Sequence, residues 1–541
     1  MVNSLRAHAS NAATTLRVLG GAGVIRPYGP RTLVALGRTV VRWGTGPAGG
    51  FASLAVRNPD RVGLVDELGE LTFGEMQRRS NALARGLAGL GVGEGDSVAI
   101  MCRNHRGFVD ASIAVAKLGA DLLYLNTAFA GPQLVDVLER EQPSVVIHDE
   151  EFTGLLANAH VEQRLIAWTD SDQERTIEAL IVGHDDAELD PPRRHARIVI
   201  LTSGTTGTPK GAPRNEAGID AAVSMLSRMP LRHGWRTHIA APLFHTWGFA
   251  HLALAMLLGS TVVLHRKFDP ENALRTVEEH RCESLVVIPV MLQRILALDE
   301  DVLAEHRMPT LRVVAASGSA LPGTLATSWM DHFGDNLYNI YGSTEVAYAS
   351  IATPQDLREA PSSAGRPPYG TVVRIYGEDG HEVPAGTSGR IFVGNNLLFE
   401  GYTGGGSKDM VDGLMATGDV GRFDEDGRLY VDGRDDEMIV SGGENVFPKE
   451  VEDCLVAHEA VAEAAAVGVD DDDYGTRLRA FVARRGDVTE DELKDHVKTH
   501  LARYKVPREI VFLDELPRNA TGKVLKRDLA GWDDDRGGGR A

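Results

Sequence analysis

The 541-residue chain is predicted to be α/β: a large N-terminal domain of layered α/β subdomains plus a small β-rich subdomain, then a small α+β C-terminal domain. Three observations predict this. From about Phe51, short β-branched runs alternate with amphipathic stretches, the pattern of layered sheets with mainly parallel strands. After about residue 370 strand-like and turn-rich segments crowd together. The last hundred residues mix helical and strand-like runs, and the whole is too long for one core.

The first 50 residues form a basic appendage. Leu33, Leu36, Val40 and Trp43 recur at helical spacing, Arg31, Arg38 and Arg42 share another face, and Pro30 suits a helix start. Six arginines and no acidic residue give this segment +6, so the rest of the chain carries −26 against a total of −20. Two readings follow: a helix docked on the protein's own acidic body, or an interfacial anchor on an anionic membrane. Gly37 and the short apolar face favour docking. An Arg-rich, acid-poor start also has the composition of an organelle-import segment.

Within 51–433, SVAIM (97–101), SVVIH (144–148), RIVIL (197–201), TVVLH (261–265), SLVVI (284–288) and LRVVAA (311–316) are predicted strands. Residues 74–90 and 107–118 are predicted helices. The apolar stretch from Ile239 to Leu264, interrupted by Pro242, His245 and His251, reads as strand–helix–strand rather than a membrane span. TVVRIYG and GRIFVG mark the β-rich unit, and DEDG (424–427) a hairpin turn. In the last domain, 434–530, VEDCLVAHEAVAEAAAV reads as helix and RAFVA and EIVFL as strands; residues 531–541 read as a disordered tail.

The negative body excludes nucleic acid as a partner. Cys102, Cys282 and Cys454 are widely spaced and odd in number, which argues against a disulfide framework and for a reducing, cytoplasmic location. No pair has metal-ligand spacing and no secretory signal opens the chain.

The stretch TSGTTGTPKG, Thr202 to Gly211, follows a predicted strand and precedes helix-compatible residues near Glu216. Strand, glycine-rich loop and helix present backbone N–H groups to phosphate oxygens. Gly204 and Gly207 permit close approach, Thr202, Ser203, Thr205, Thr206 and Thr208 add hydroxyls, and Lys210 adds charge. Pro209 before the lysine and Gly211 after it exclude a P-loop, and no GxGxxG marks a dinucleotide fold.

Downstream lie APLFHTWGF (241–249), YGSTE (341–345), ATGDVGRFDEDG (416–427), GRDDEMIVSGGENVFPKEVE (433–452) and PRNATGKVLKRDL (517–529). In this order they resemble the motif series of the adenylate-forming superfamily of acyl-CoA synthetases, adenylation domains and luciferases. The resemblance spans roughly residues 55–529, and its texture is most similar to bacterial long-chain fatty acyl-CoA ligases. It implies ATP, Mg²⁺ and coenzyme A: a carboxylic acid is first joined to AMP with release of pyrophosphate, then passed to the CoA thiol.

The resemblance also implies roles. Thr202 to Lys210 would hold the β- and γ-phosphates, Thr344 the α-phosphate and Glu345 the Mg²⁺. Tyr341 would face adenine, Asp419 would accept from the ribose hydroxyls and Arg434 would add a ribose contact. Lys523 would neutralise charge between carboxylate and phosphate. His245 would gate the acyl pocket, its alternative being a core histidine. Asp436, in 434–437, would be the hinge on which the small domain rotates, and Gly442 and Gly443 would line a pantetheine tunnel.

Phe244-His245 stands where amino-acid-activating relatives carry Phe-Asp, so an ammonium substrate would be left unmatched. A medium- to long-chain fatty acid is the expected substrate. Aryl-CoA ligation, acyl-AMP delivery to a carrier protein, and a non-catalytic nucleotide sensor are the alternatives. Trp247, Phe249, Leu252, Leu254 and Met256 would either line an acyl tunnel or pack in the core.

Overall fold

The β-branched runs become the centres of two large sheets. The computed structural model describes residues 2–44, 46–202, 210–214, 219–343, 345–399, 401, 407–437, 439–441, 444–471, 475–519 and 522–532. One sheet has six strands in the order Gln163–Trp168, Val145–Asp149, Ser97–Met101, Asp121–Tyr124, Ile198–Thr202 and Lys210–Arg214. All neighbours pair parallel except the last two. The other has eight, in the order Ser350–Ala352, Leu337–Tyr341, Val313–Ala316, Ser284–Val287, Arg236–Ile239, Thr261–Val263, Val62–Asp66 and Gly69–Thr72. It is parallel except for the antiparallel pair at each edge.

Parallel strands covered on both faces need apolar residues at every position. Val98 and Ile100 of one sheet share a core with Val263, Leu285 and Val287 of the other. Leu83 and Leu87 of helix Phe73–Gly89, and Phe108 and Ile113 of helix Arg106–Lys117, join them. Thr72 and Glu75 form a capping box that starts the first of these helices.

A five-stranded antiparallel sheet follows: Val372–Tyr376, Gly389–Gly394, Leu414–Phe423 and Met410–Val411, with Leu429–Arg434 paired to Leu414–Phe423. The DEDG segment is its hairpin turn, where Asp424 and Asp426 bind Arg428. Strands Val461–Asp471, Gly475–Arg484 and Glu509–Leu513 then form a three-stranded sheet with helices Pro448–Val456 and Glu490–His500.

Two segments differ from the sequence expectation. After Thr202 the chain returns as an edge strand, Thr202 opposite Lys210, so the glycine-rich segment joins two antiparallel strands instead of leading into a helix. Pro213 is tolerated there because the strand is at the sheet edge. In the last domain the helix ends at Val456, and 461–471 is a strand. Its alanines alternate: Ala466 faces one core, Ala465 and Val467 the other. Burial on both faces overrides alanine's helix preference.

The appendage forms helices Val2–Gly21 and Pro30–Trp43. Trp43 is buried, and Arg42 reaches Glu188 and Asp190 on the acidic body. Among the described residues no helix is long and apolar enough to cross a membrane.

Candidate active site

Four predicted side chains converge where the eight-stranded sheet, the five-stranded sheet and the last domain meet. Leu337–Tyr341 ends at Tyr341, whose hydroxyl donates to Asp419 Oδ2 at 2.5 Å. Asp419 lies in Leu414–Phe423 opposite Arg434, whose Nη1 is 3.8 Å from Asp419 Oδ1. Burial pushes the Asp419 carboxyl above the ordinary value, while the Tyr341 hydrogen bond and the charges of Arg434, Lys523 and Lys408 pull the other way. Burial, then Asp419 itself, raises the Tyr341 phenol well above its ordinary value, so it stays a donor. A half-buried carboxylate with one oxygen held by a phenol and the other toward a guanidinium suits paired hydroxyl donors.

Lys523 arrives on a tight turn. Its N–H donates to Asn519 Oδ1 at 2.9 Å, and Asn519 N–H returns to the Lys523 carbonyl at 2.9 Å. Gly522 has φ +76°, and a Cβ there would lie 2.6 Å from Val290 Cγ1 and 3.1 Å from Ile288 Cδ1. Close backbone approach at this glycine lets the small domain seat Lys523 toward Asp419.

Glu345 follows Tyr341 in a wound segment. Its N–H donates to Ser343 Oγ at 3.2 Å, its carbonyl accepts from Phe399 N–H at 2.8 Å, and Asn395 Nδ2 holds the Val346 and Tyr348 carbonyls. A Cβ on Gly342 would meet the Ala347 carbonyl at 2.2 Å, so the turn requires glycine. A carboxylate on so fixed a backbone fits a hard cation that prefers oxygen ligands. Thr344 lies outside the described residues, as do Ser203, Gly204, Thr205, Thr206, Gly207, Thr208, Gly442 and Gly443. Thr202 and Lys210 face each other across the edge strands, and Asp436 is the middle of a 3₁₀ turn, Asp435–Glu437.

His245 directly precedes helix Thr246–Leu258, and its side chain makes no capping hydrogen bond to it. Its Nε2 is buried with no hydrogen-bond partner among the described residues, and burial lowers its pKa to about 4, so the ring is neutral. Among the described residues it is therefore not a core histidine satisfied at both nitrogens. Gly248 lets the helix start against the Pro242 carbonyl, which a Cβ would approach to 2.3 Å. Leu252, Leu254 and Met256 are packed in the cores, while Trp247 and Phe249 lie partly buried against them.

Asn104 is a positioning residue the sequence did not mark. Its Nδ2 donates to the Ile239 and Ala241 carbonyls at 3.1 and 2.9 Å, and its Oδ1 accepts from Leu243 N–H at 2.9 Å. It thereby ties the chain leading to His245 to the first sheet. A lone asparagine in an unremarkable loop carries no sequence signal for this.

Residues 51–403 match the AMP-binding enzyme family, and residues 450–523 match the AMP-binding enzyme C-terminal domain. The chain is similar to a feruloyl-CoA synthase of Amycolatopsis sp, 34% identical over 85% of this chain and 93% of that one. It is also similar to an indoleacetate–CoA ligase of Aromatoleum aromaticum, 33% identical over 88% and 94%. Among solved structures, an anthranilate CoA ligase in complex with anthranoyl-AMP superposes with a TM-score of 0.81 at 26% identity, covering 90% of this chain and 96% of that one.

Proposed function

Because the chain belongs to the AMP-binding enzyme family, we propose that the convergence of Tyr341, Asp419, Arg434 and Lys523 is its adenylation site. The chain is an AMP-forming acid–thiol ligase that uses ATP, Mg²⁺ and coenzyme A. A carboxylate oxygen bonds to the α-phosphorus as pyrophosphate leaves, and the CoA thiolate then displaces AMP from the acyl carbon. The single observation that carries the assignment is the clamp on Asp419, held by Tyr341 and flanked by Arg434, with Lys523, over a hundred positions away in sequence, close enough for its charge to act on that carboxyl.

Asp419 accepts the ribose hydroxyls, with Tyr341 beside the adenine and fixing the carboxylate, and Arg434 flanking it. Lys523 places an ammonium between the incoming carboxylate and the phosphate, where two anions must approach. Glu345 would hold Mg²⁺, which when bound neutralises phosphate charge. Thr202, Lys210 and the residues between them, together with Thr344, would cradle the phosphates, and Gly442 and Gly443 would line the path of the thiol.

The hinge reading rests on two ion pairs. Asp435 is held 3.1 Å from Arg390 of the five-stranded sheet, while Glu437 is held 2.9 Å from Lys526 of the last domain. Burial alone would lower the Lys526 pKa, but Glu452 and Glu437 outweigh it and raise it. With Asp435 fixed to one body and Glu437 to the other, Asp436 is the free joint between 51–433 and 434–530.

For the acid, aromatic and arylalkyl carboxylates come first and medium- to long-chain fatty acids second. Ferulate, indoleacetate and anthranilate are aromatic acids, and Trp247 and Phe249 suit an aromatic ring, Phe249 already lying 5.3 Å from Tyr124. The orphaned His245 Nε2 is the polar group available to orient such a substrate. Pyrophosphate exchange over a panel of aromatic and aliphatic acids tests this, scored with CoA and with a carrier protein as acceptor. Turnover highest with an aromatic acid and CoA supports the reading. Preference for long aliphatic acids reverses the order, carrier loading favours acyl-AMP ligation, and no exchange with any acid favours a nucleotide sensor.

The appendage docks on the body of a cytoplasmic enzyme through Arg42 and Trp43, and the second reading, contact with a membrane surface, rests on its outer face. Leu33, Val34, Val40 and Val41 are exposed on helix Pro30–Trp43 beside the exposed Arg31 and Arg38. Deletion of residues 1–50 is expected to weaken partitioning onto anionic vesicles, and unchanged partitioning would retire the idea.

A further inference from the structure

The last domain carries a cluster of soft ligands unrelated to the adenylation site. Cys454 lies on helix Pro448–Val456, and His496 and His500 lie on helix Glu490–His500. The two helices pack through Val451 and Leu455 against Leu493 and Val497. This fixes the seam above which the three side chains project. His496 and His500 are four apart, so their rings stack along one helical face, with centroids 4.3 Å apart. The Cys454 thiol and one ligand atom from each histidine all lie within 4.8 Å of one another.

The backbone prepares these rings to accept a cation. His496 Nε2 donates to the Cys454 carbonyl at 3.1 Å, and His500 Nδ1 donates to the His496 carbonyl at 2.8 Å. Each ring therefore spends its one neutral-form proton on a carbonyl and keeps a lone pair on its other nitrogen, the arrangement by which metal-binding histidines are oriented. His458, four residues beyond Cys454, meets His496 edge-on with centroids 5.1 Å apart, and its Nδ1 accepts from the Ala460 N–H at 3.2 Å, so it flanks the cluster without joining it. Cys454 and His496 are half-buried and His500 is exposed, which gives an ion an entry path.

We infer that Cys454, His496 and His500 form a binding site for a borderline-soft divalent transition cation of the Zn²⁺ class, pinning the two helices of the C-terminal domain together. One thiolate and two imidazoles select such an ion over the Mg²⁺ of the reaction, which prefers oxygen. Tetrahedral zinc holds its ligand atoms roughly 3.3–3.6 Å apart, so the cluster closes by at most about 1.5 Å, within reach of the exposed His500 rotamer. On binding, the Cys454 thiol gives up its proton to solvent as the Zn–S bond forms, and no redox change occurs. By contrast, the buried Cys102, His105 and Asp149 also cluster, but all three are closed to solvent.

The test uses the full-length protein freed of metal by a chelator. Zn²⁺ is titrated against a chromophoric competitor, and Co²⁺ is added separately to read the thiolate-to-cobalt charge-transfer band. The expected result is one tight Zn²⁺ per chain, a Co²⁺ band, and a raised unfolding temperature of the C-terminal domain with Zn²⁺. Cys454→Ser should abolish the band, and His500→Ala should weaken Zn²⁺ binding by about tenfold or more. His500 is exposed, so its removal should leave the fold intact, which pyrophosphate exchange with Mg²⁺ verifies. Absence of a Co²⁺ band in the parent chain overturns the inference. So does Zn²⁺ affinity unchanged in both variants.

Discussion

Asp419 and Lys523 reach one site from opposite structural regimes. Asp419 is 13% exposed, sits in the longest strand of a five-stranded sheet and is clamped by Tyr341 and Arg434. Lys523 is exposed, stands on a turn closed by Asn519, and belongs to a domain joined to the rest through the short turn at Asp436. The comparison separates duties. On the proposed assignment, the nucleotide grip sits in rigid sheet, where it need not be remade each cycle, and the charge needed for only one half-reaction sits on the domain proposed to move.

The largest expected effect comes from removing the mobile charge. Lys523→Ala should slow pyrophosphate exchange by about 10²–10³-fold, the usual loss for one preorganised donor to a developing charge. CoA attack on supplied acyl-adenylate should change little. Equal loss of both half-reactions would erase the distinction between grip and charge.

Freezing the joint should do the converse. Asp436→Pro fixes φ at the proposed pivot and should cut thioester formation on the order of tenfold or more while sparing exchange. Unimpaired overall turnover would show that the pair Arg390–Asp435 and the pair Lys526–Glu437 do not bracket a moving joint.

A subtler change tests seating alone. Gly522→Ala keeps the ammonium but adds a Cβ against Val290 and puts alanine at φ +76°. The left-handed conformation costs about 1–2 kcal/mol. If that cost falls on the seated arrangement, exchange should drop by about tenfold, with less effect on the second half-reaction. A drop equal to that of Lys523→Ala would mean the turn itself has collapsed.

The smallest effect concerns the rigid part. Burial lowers the pKa of His238 and of His245 to about 4 and that of His251 to about 3. The unfolded chain takes up these protons near the ordinary 6.5, before the folded chain does. Their contribution to stability is thus complete above about pH 6.5 and is lost as pH falls toward about 4. Urea unfolding at a series of pH values should show this loss, and the His251→Gln variant should show a shallower slope. An identical slope would place the acid sensitivity elsewhere.

Much of the fold was legible because buried parallel strands write themselves as β-branched runs, as at 97–101 and 284–288. The family was legible through the motif order, and Tyr341, Asp419, Arg434 and Lys523, the residues proposed for the site, stand in those segments. What stayed hidden depends on tertiary neighbours. The Ala-rich run at 461–467 obeys the two cores it separates rather than its own propensity. The return of Lys210–Arg214 as an edge strand is decided by pairing with Ile198–Thr202. Asn104 acts on carbonyls more than a hundred positions away, and Cys454 meets His496 and His500 only because two helices pack.

The most direct measurement is a crystal structure with a non-hydrolysable acyl-adenylate analogue. The account predicts both ribose hydroxyls on Asp419 and the Lys523 ammonium within hydrogen-bonding reach of the phosphate or acyl oxygen. A ribose bound away from Asp419, with Tyr341 still donating to that carboxylate undisturbed, would contradict it.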